Sequence, residues 1–340
     1  MASEAPENRT NGAPPNIKEL IFLGTGTSGN VPNIYCLTKD VPDCKVCIAA
    51  MEVKASDGPK INGVIPPTPI FNKNKRRTTS AVVRYMHSDG RMRLDIAIAT
   101  ILIDCGKNFY ESALTWFVHY RLRRIDAVLL THGHADAMLG MDDLRQWTIG
   151  GAAFSVQDHI DVYCNEQTMG VVQGAFPYLV DRGKATGGGD VPSLNFRIME
   201  TTPEGYKRFM IEELEVIPVE VDHGKYSDGQ PFKCLGFRFG DVTYISDASG
   251  IPPPARDLIR GSKVLVMDSL HYGPHPSHFS IPEAVQQCAE LVKPGGRAFL
   301  TGFSHRVDHD TLAQELRQNE DLKKAGVKAE PSYDGLKVVI

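Results

Sequence analysis

The stretch Asp126-Ala-Val-Leu-Leu130-Thr-His132-Gly-His134-Ala-Asp136-Ala137 decides how this sequence folds. Asp126 to Leu130 is too short for a helix and rich in branched apolar residues, which reads as a buried strand. His132 and His134 follow it two residues apart. In extended backbone that spacing points both imidazoles to one side, and Gly133 leaves room between them. Asp136 continues on that side as the chain turns into a helical pattern from Met138 to Trp147. Two neutral imidazoles and a carboxylate at a strand's end suit a borderline metal such as zinc. Taken alone, the triplet is equally compatible with three polar residues in a surface turn.

Two further strand ends change the balance. Val219-Glu-Val-Asp-His223-Gly224 ends an apolar strand in a histidine, and Val242-Thr-Tyr-Ile-Ser-Asp247 ends another in an aspartate. From about Ile17 to the C-terminus this order of ligand-bearing strand ends resembles the metallo-β-lactamase-fold hydrolases. Within them it is most similar to the branch holding tRNase Z and the phosphoribosyl cyclic phosphodiesterases. The resemblance implies an α/β architecture, an αββα four-layer sandwich with two mixed sheets. It would form a single domain over 17–340 after a disordered tail at 1–16. It also implies a first metal site of His132, His134 and His223, with Asp247 as a carboxylate shared with a second ion.

At 340 residues the chain can bury a large core. No apolar run approaches the roughly 20 residues of a membrane span, and the N-terminus lacks the basic and apolar regions of a signal peptide. No membrane partner is expected. A net charge of -4 provides no basic field for nucleic acid, so a small-molecule substrate is expected instead. Seven dispersed cysteines do not read as a disulfide framework. A reducing compartment, cytoplasmic or nuclear, follows. Nothing in the pattern specifies an oligomeric state.

Gly24-Thr-Gly26-Thr-Ser-Gly29 follows the strand Lys18 to Leu23 and matches G-x-G-x-x-G. A dinucleotide site needs a helix directly after the glycines, and Asn30-Val-Pro-Asn-Ile-Tyr is not one. The resemblance implies a turn running beneath the metal site. Cys36, Cys44 and Cys47 can wrap one tetrahedral zinc that takes a fourth ligand from elsewhere. In the similar phosphodiesterases such a knuckle binds a structural zinc, and Leu300-Thr-Gly302-Phe-Ser-His305 implies His305 as the fourth ligand. Structural zinc contributes on the order of 10 kcal/mol to the folding of small fingers. Unligated thiols are the plain alternative. A redox pair is disfavoured because no helical pattern starts at Cys44.

Residues 54–79 read as irregular, broken by Pro59, Pro66, Pro67 and Pro69. They end in the basic run Lys73-Asn-Lys75-Arg76-Arg77, a solvated surface by default, though an arginine fork also suits a substrate phosphate. Asp104, in Leu-Ile-Asp-Cys-Gly, resembles a residue that props the metal-site loops by hydrogen bonds. Asn108 to Leu122 reads as an amphipathic helix. His87 and His119 read as ordinary, partly exposed histidines. Ser280-Ile-Pro-Glu283 opens a helix with a capping box.

The second metal site does not carry over. Ala137 and Gly302 stand where similar proteins place histidines, leaving Asp136 and Asp247. Two oxygen ligands hold zinc weakly, so one catalytic ion is expected, with any second ion loosely bound and harder, such as manganese. His309 or Asp308 could substitute but read as surface. Asp136 could accept the proton of an attacking water. Among His271, His275 and His278, the last resembles a histidine that contacts substrate phosphate or protonates the leaving oxygen. The expected activity is hydrolysis of a small or cyclic phosphodiester with one catalytic and one structural ion. The alternatives are thioester or lactone hydrolysis on the same fold, or a pseudoenzyme binding module with a depleted site.

Overall fold

The computed structural model describes residues 16–52, 72–86, 98–150 and 155–340. The expected N-terminal tail, the four prolines between 59 and 69, and His87 lie outside the described residues. Asn16, counted with the tail above, already begins the first strand.

The strands in chain order are β1 (Asn16–Gly24), β2 (Ser80–Met86), β3 (Ile98–Ile103), β4 (Ala127–Leu129), β5 (Ile160–Cys164) and β6 (Leu194–Ile198). A short ribbon follows, β7 (Thr201–Thr202) and β8 (Gly205–Tyr206). Next come β9 (Phe209–Ile211), β10 (Leu214–Lys225), β11 (Pro231–Phe239), β12 (Val242–Ile245), β13 (Ser262–Asp268), β14 (Val292–Thr301), β15 (Lys328–Pro331) and β16 (Lys337–Val339). One sheet runs β16-β1-β2-β3-β4-β5-β6 and the other β15-β14-β13-β12-β11-β10-β9. In both, one half is antiparallel and the other parallel. The two-residue side-chain period sorts each strand. Leu20 and Phe22 of β1 join Val264 and Val266 of β13 in a core between the sheets. Ile21 and Leu23 pack outward against the helix Phe109–Tyr120, while Leu265 and Met267 pack among helices Pro253–Ile259, Ile281–Leu291 and His309–Gln318. The result is helix, sheet, sheet, helix, as expected. These cores dominate the stability. A buried Leu or Phe contributes about 1.5–3 kcal/mol, far more than a solvent-screened surface ion pair such as Lys39–Asp43.

The expected capping box is present, with Ser280 and Glu283 bonded reciprocally. A helix over Glu166–Ala175 ends just before Pro177, where a short second one begins. Two expectations are corrected. The helical pattern Met138 to Trp147 is broken into Ala135–Met138, a tight turn Met141–Leu144 and Arg145–Thr148. Gly140 causes the break: its N–H donates to Cys105 O at 2.8 Å, and a Cβ there would lie 2.3 Å from Gly106 O. A helix does start after Cys44, over Lys45–Met51; seven residues are too few for the periodicity to show in sequence.

Gly106 is packed against the loop that carries His132, His134 and Asp136, since an added Cβ would fall 1.5 Å from Asp136 O. Gly106→Ala is therefore expected to lower stability by about 1–3 kcal/mol or more in denaturant unfolding. An unchanged midpoint would contradict this packing.

Candidate metal centre

β4 ends at Leu129, and the chain leaves the sheet through Leu130 and Thr131 into the two histidines. Asp104, just past β3, holds this exit. Thr131 donates its N–H to Asp104 Oδ1 at 2.8 Å and its hydroxyl to Asp104 Oδ2 at 2.9 Å. That hydroxyl has one proton, so its oxygen accepts from His132 Nδ1–H at 2.8 Å. The tautomer of His132 is thereby fixed with the lone pair on Nε2. This Nε2 is buried and has no hydrogen-bond partner. Burial pulls the imidazole down to about 3, so it is neutral at physiological pH, as a ligand must be. The structure thus fits the propping role expected for Asp104, and adds Thr131 as the connecting group, which the sequence reading missed.

The same logic holds at His223, at the far end of β10. Its Nδ1–H donates to Ser277 O at 2.7 Å, freeing Nε2. The ring centres of His132, His134 and His223 are 4.5, 5.1 and 5.3 Å apart, and their donor atoms lie within 4.8 Å of one another. His223, Asp247 and His278 form a second such group. Asp247 is buried, and its Oδ2 has no partner. Burial would raise its pKa, but the imidazoles of His132, His223 and His278 hold it below the usual carboxylate range. Donors converging from three strand ends, with a bare nitrogen and a bare carboxylate oxygen in the buried centre, fit a bound metal ion. His134 is the exposed member of its group, so the centre meets solvent on that side.

His278 carries its own support. Its Nδ1 lies 3.0 Å from Asp268 Oδ2, which also accepts from Ala248 N at 3.0 Å, and 3.9 Å from Asp247 Oδ1. Burial disfavours its charge, yet the charge and hydrogen bond of Asp268 raise its pKa to about 9. Asp268 ends β13 beside the strand that leads to Asp247. Asp136 is buried but joins neither donor group; burial and then the charge of Asp247 raise it to about 6.

The missing histidine at 302 has a structural counterpart. Gly302 has φ +82°, and a Cβ there would lie 2.6 Å from Asp268 Oδ1, itself buried and unpartnered. The Asp268 carboxylate thus occupies the space that a side chain at 302 would enter. The suggested substitutes do not reach the centre. His309 is buried against Tyr333, and Asp308 caps the helix it precedes, accepting from Asn74. His271 and His275 also lie outside both donor groups.

Cys36, Cys44, Cys47 and His305 converge as well, with donor atoms within 4.8 Å of one another; His305 Nδ1 is 3.4 Å from Cys36 Sγ and 3.6 Å from Cys44 Sγ. The expected solvated run at 73–77 is corrected at Arg76. Arg76 is buried, donates to Ser304 O at 3.1 Å and Val307 O at 2.9 Å, and lies over the Phe303 ring. It fastens the loop that carries His305 and is closed to substrate. The glycine-rich turn passes beneath this same loop, where Thr25 O accepts from the N–H groups of Gly302 and Phe303. A separate cavity of about 460 Å³, lined by Asp126, Gln157 and Asp161 among others, lies at the opposite ends of β4 and β5.

A family model described as a beta-lactamase superfamily domain matches residues 99–303, more than half of the chain. The chain belongs to the beta-lactamase superfamily. Among solved members of this fold, a diphosphatase from the PhnP family is 26% identical, with 94% of this chain and 96% of that chain covered and a TM-score of 0.66. Zinc-bound PqqB from Methylobacterium extorquens (15%, 95% and 100%, 0.60) and the short form of human tRNase Z (15%, 94% and 98%, 0.52) share the fold. An octanoyltransferase from Porphyromonas gingivalis is 26% identical over 321 residues, 94% of this chain and 51% of that protein. The chain therefore spans about half the length of that curated relative.

Within this superfamily site, Asp104→Ala is expected to weaken metal binding about 10- to 100-fold in a competitive chelator titration, through loss of the Thr131–His132 orientation. Unchanged affinity would remove Thr131 from the account. Gly302→His is expected to cost stability without raising the metal-to-protein ratio, because Asp268 already fills the space. A raised ratio would contradict that reading.

Proposed function

We propose that this protein is a metal-dependent phosphodiesterase acting on a small or cyclic phosphodiester. The observation that carries the reading is the buried, tautomer-fixed His132 Nε2 grouped with His134 and His223, with Asp247 joined to them through the second donor group that shares His223. These four residues would hold the catalytic ion, zinc by its imidazole-rich donor set or manganese in its place. Such an ion lowers the pKa of a coordinated water to about 7 and polarises a phosphoryl oxygen.

The chain's own groups do the rest. Asp136, beside Asp247, accepts the proton of the attacking water. His278, oriented by Asp268, contacts the phosphate and donates a proton to the departing oxygen. Cys36, Cys44, Cys47 and His305 hold a structural zinc that ties the first loop to the end of β14. Reduced thiols in that knuckle favour a cytoplasmic or nuclear setting. Among the described residues no helix is long and apolar enough to cross a membrane. The similarity to a diphosphatase supports phosphorus chemistry. The octanoyltransferase relative favours a second reading, hydrolysis of an acyl thioester at the same ion.

Turnover of bis-p-nitrophenyl phosphate and 2′,3′-cyclic nucleotides, compared with an octanoyl thioester, separates the two. Phosphodiester turnover should be abolished by chelation and by His132→Ala, and restored in the wild type by zinc or manganese. Turnover of the thioester alone would replace the first reading with the second. Turnover of neither, with metal bound, would leave a binding module. Elemental analysis should show Cys44→Ser losing the knuckle ion while the catalytic ion remains.

A further inference from the structure

The mouth of the metal centre has a wall that the proposed chemistry does not use. Phe232, at the start of β11, stacks on the exposed ligand His134, with ring centres 4.8 Å apart and planes 5° from parallel. Tyr226, in the turn between β10 and β11, packs edge-on against Phe232 at 5.4 Å and is 46% exposed. Its hydroxyl accepts from Gln167 Nε2 on the helix Glu166–Ala175. The same helix places Val171, 43% exposed, directly over Gly133; a Cβ on Gly133 would lie 2.9 Å from Val171 Cγ2. A continuous apolar surface thus runs outward from the ligand histidines, with its outermost ring fixed in orientation.

We infer that Tyr226 and Phe232 form the specificity surface of the enzyme, and that they receive the base of a nucleoside esterified to the reacting phosphate. This rests on the phosphodiesterase reading above. Three features favour a planar ring over a flexible chain. The wall is built from ring faces and edges, which complement another π-system in offset or edge-on packing. Tyr226 is held at both its ring and its hydroxyl, so stacking on it costs little side-chain ordering. Steps of 4.8 and 5.4 Å outward from His134 match the scale of base, ribose and phosphate in a nucleotide. Among the described residues these contacts are made by rings, the Val171 side chain and the Gln167 amide, so recognition there falls to the rings, with the phosphate left to the metal centre.

The test uses the metal-loaded full-length protein and two esters with the same leaving group, thymidine 5′-(p-nitrophenyl phosphate) and methyl p-nitrophenyl phosphate. The wild type should prefer the thymidine ester in kcat/KM. Tyr226→Ala should reduce that preference at least about tenfold, mainly through KM, the scale of a lost base–aromatic stack. Tyr226→Phe, which keeps the ring and drops the Gln167 bond, should retain most of it. Equal preference in wild type and Tyr226→Ala, or a Tyr226→Phe loss as large as that of alanine, would overturn the inference. Binding of thymidine 5′-monophosphate by calorimetry gives a readout independent of turnover. If neither ester is hydrolysed the phosphodiesterase reading fails, yet the wall still stands or falls on whether Tyr226→Ala weakens the nucleotide about tenfold. A variant that loses octanoyl thioester turnover while binding nucleotide as the wild type does would assign the wall to an acyl chain and overturn it too.

Discussion

His132 is held by one nitrogen and leaves the other facing a buried space with nothing of the protein to bond. Taking an imidazole out of water this completely is costly unless its polar atoms are satisfied. Nδ1 is satisfied by Thr131, which is anchored in turn by Asp104. Nε2 is not. The rest of the centre is arranged around that bare nitrogen: His134 and His223 bring their donors to it, and Asp247 supplies a carboxylate oxygen that is equally unpartnered.

The two-sheet sandwich explains how residues so far apart in sequence meet. β3 and β4 pair in parallel, so Asp104 and the histidine loop emerge at the same sheet end. β12 and β13 do likewise in the other sheet, bringing Asp247 and Asp268 side by side. The inner faces of the sheets are locked by a shared apolar core, which holds one set of strand ends against the other. Close backbone approaches complete the arrangement: Gly106 lies against Asp136, and Gly140 against Gly106. A precise donor geometry therefore depends on positions with no side chain as much as on the donors themselves.

Much of this was legible in the sequence. Each of β4, β10 and β12 announced itself as an apolar run ending in histidine or aspartate, and the cysteine cluster meets His305, which the resemblance had implied. What escaped notice was of two kinds. Short elements carry too few residues for a periodic signal, so the helix after Cys44 was missed and the broken segment from Met138 to Trp147 read as continuous. Long-range partners leave no local trace. Thr131 acquires its role from Asp104, 27 residues away, and Arg76 is buried by Ser304 and Val307, more than 200 residues on. A basic run looks the same in sequence whether one of its arginines is solvated or enclosed. The losses at 137 and 302 were visible, but that Asp268 fills the second of them required coordinates.

Anomalous diffraction at the zinc edge, from crystals of the full chain grown with zinc, tests the central claim most directly. The account predicts one peak within bonding distance of His132 Nε2 and shared by His134, His223 and Asp247, with a separate peak among Cys36, Cys44, Cys47 and His305. Zinc density at the knuckle with none near His132 Nε2 would contradict it.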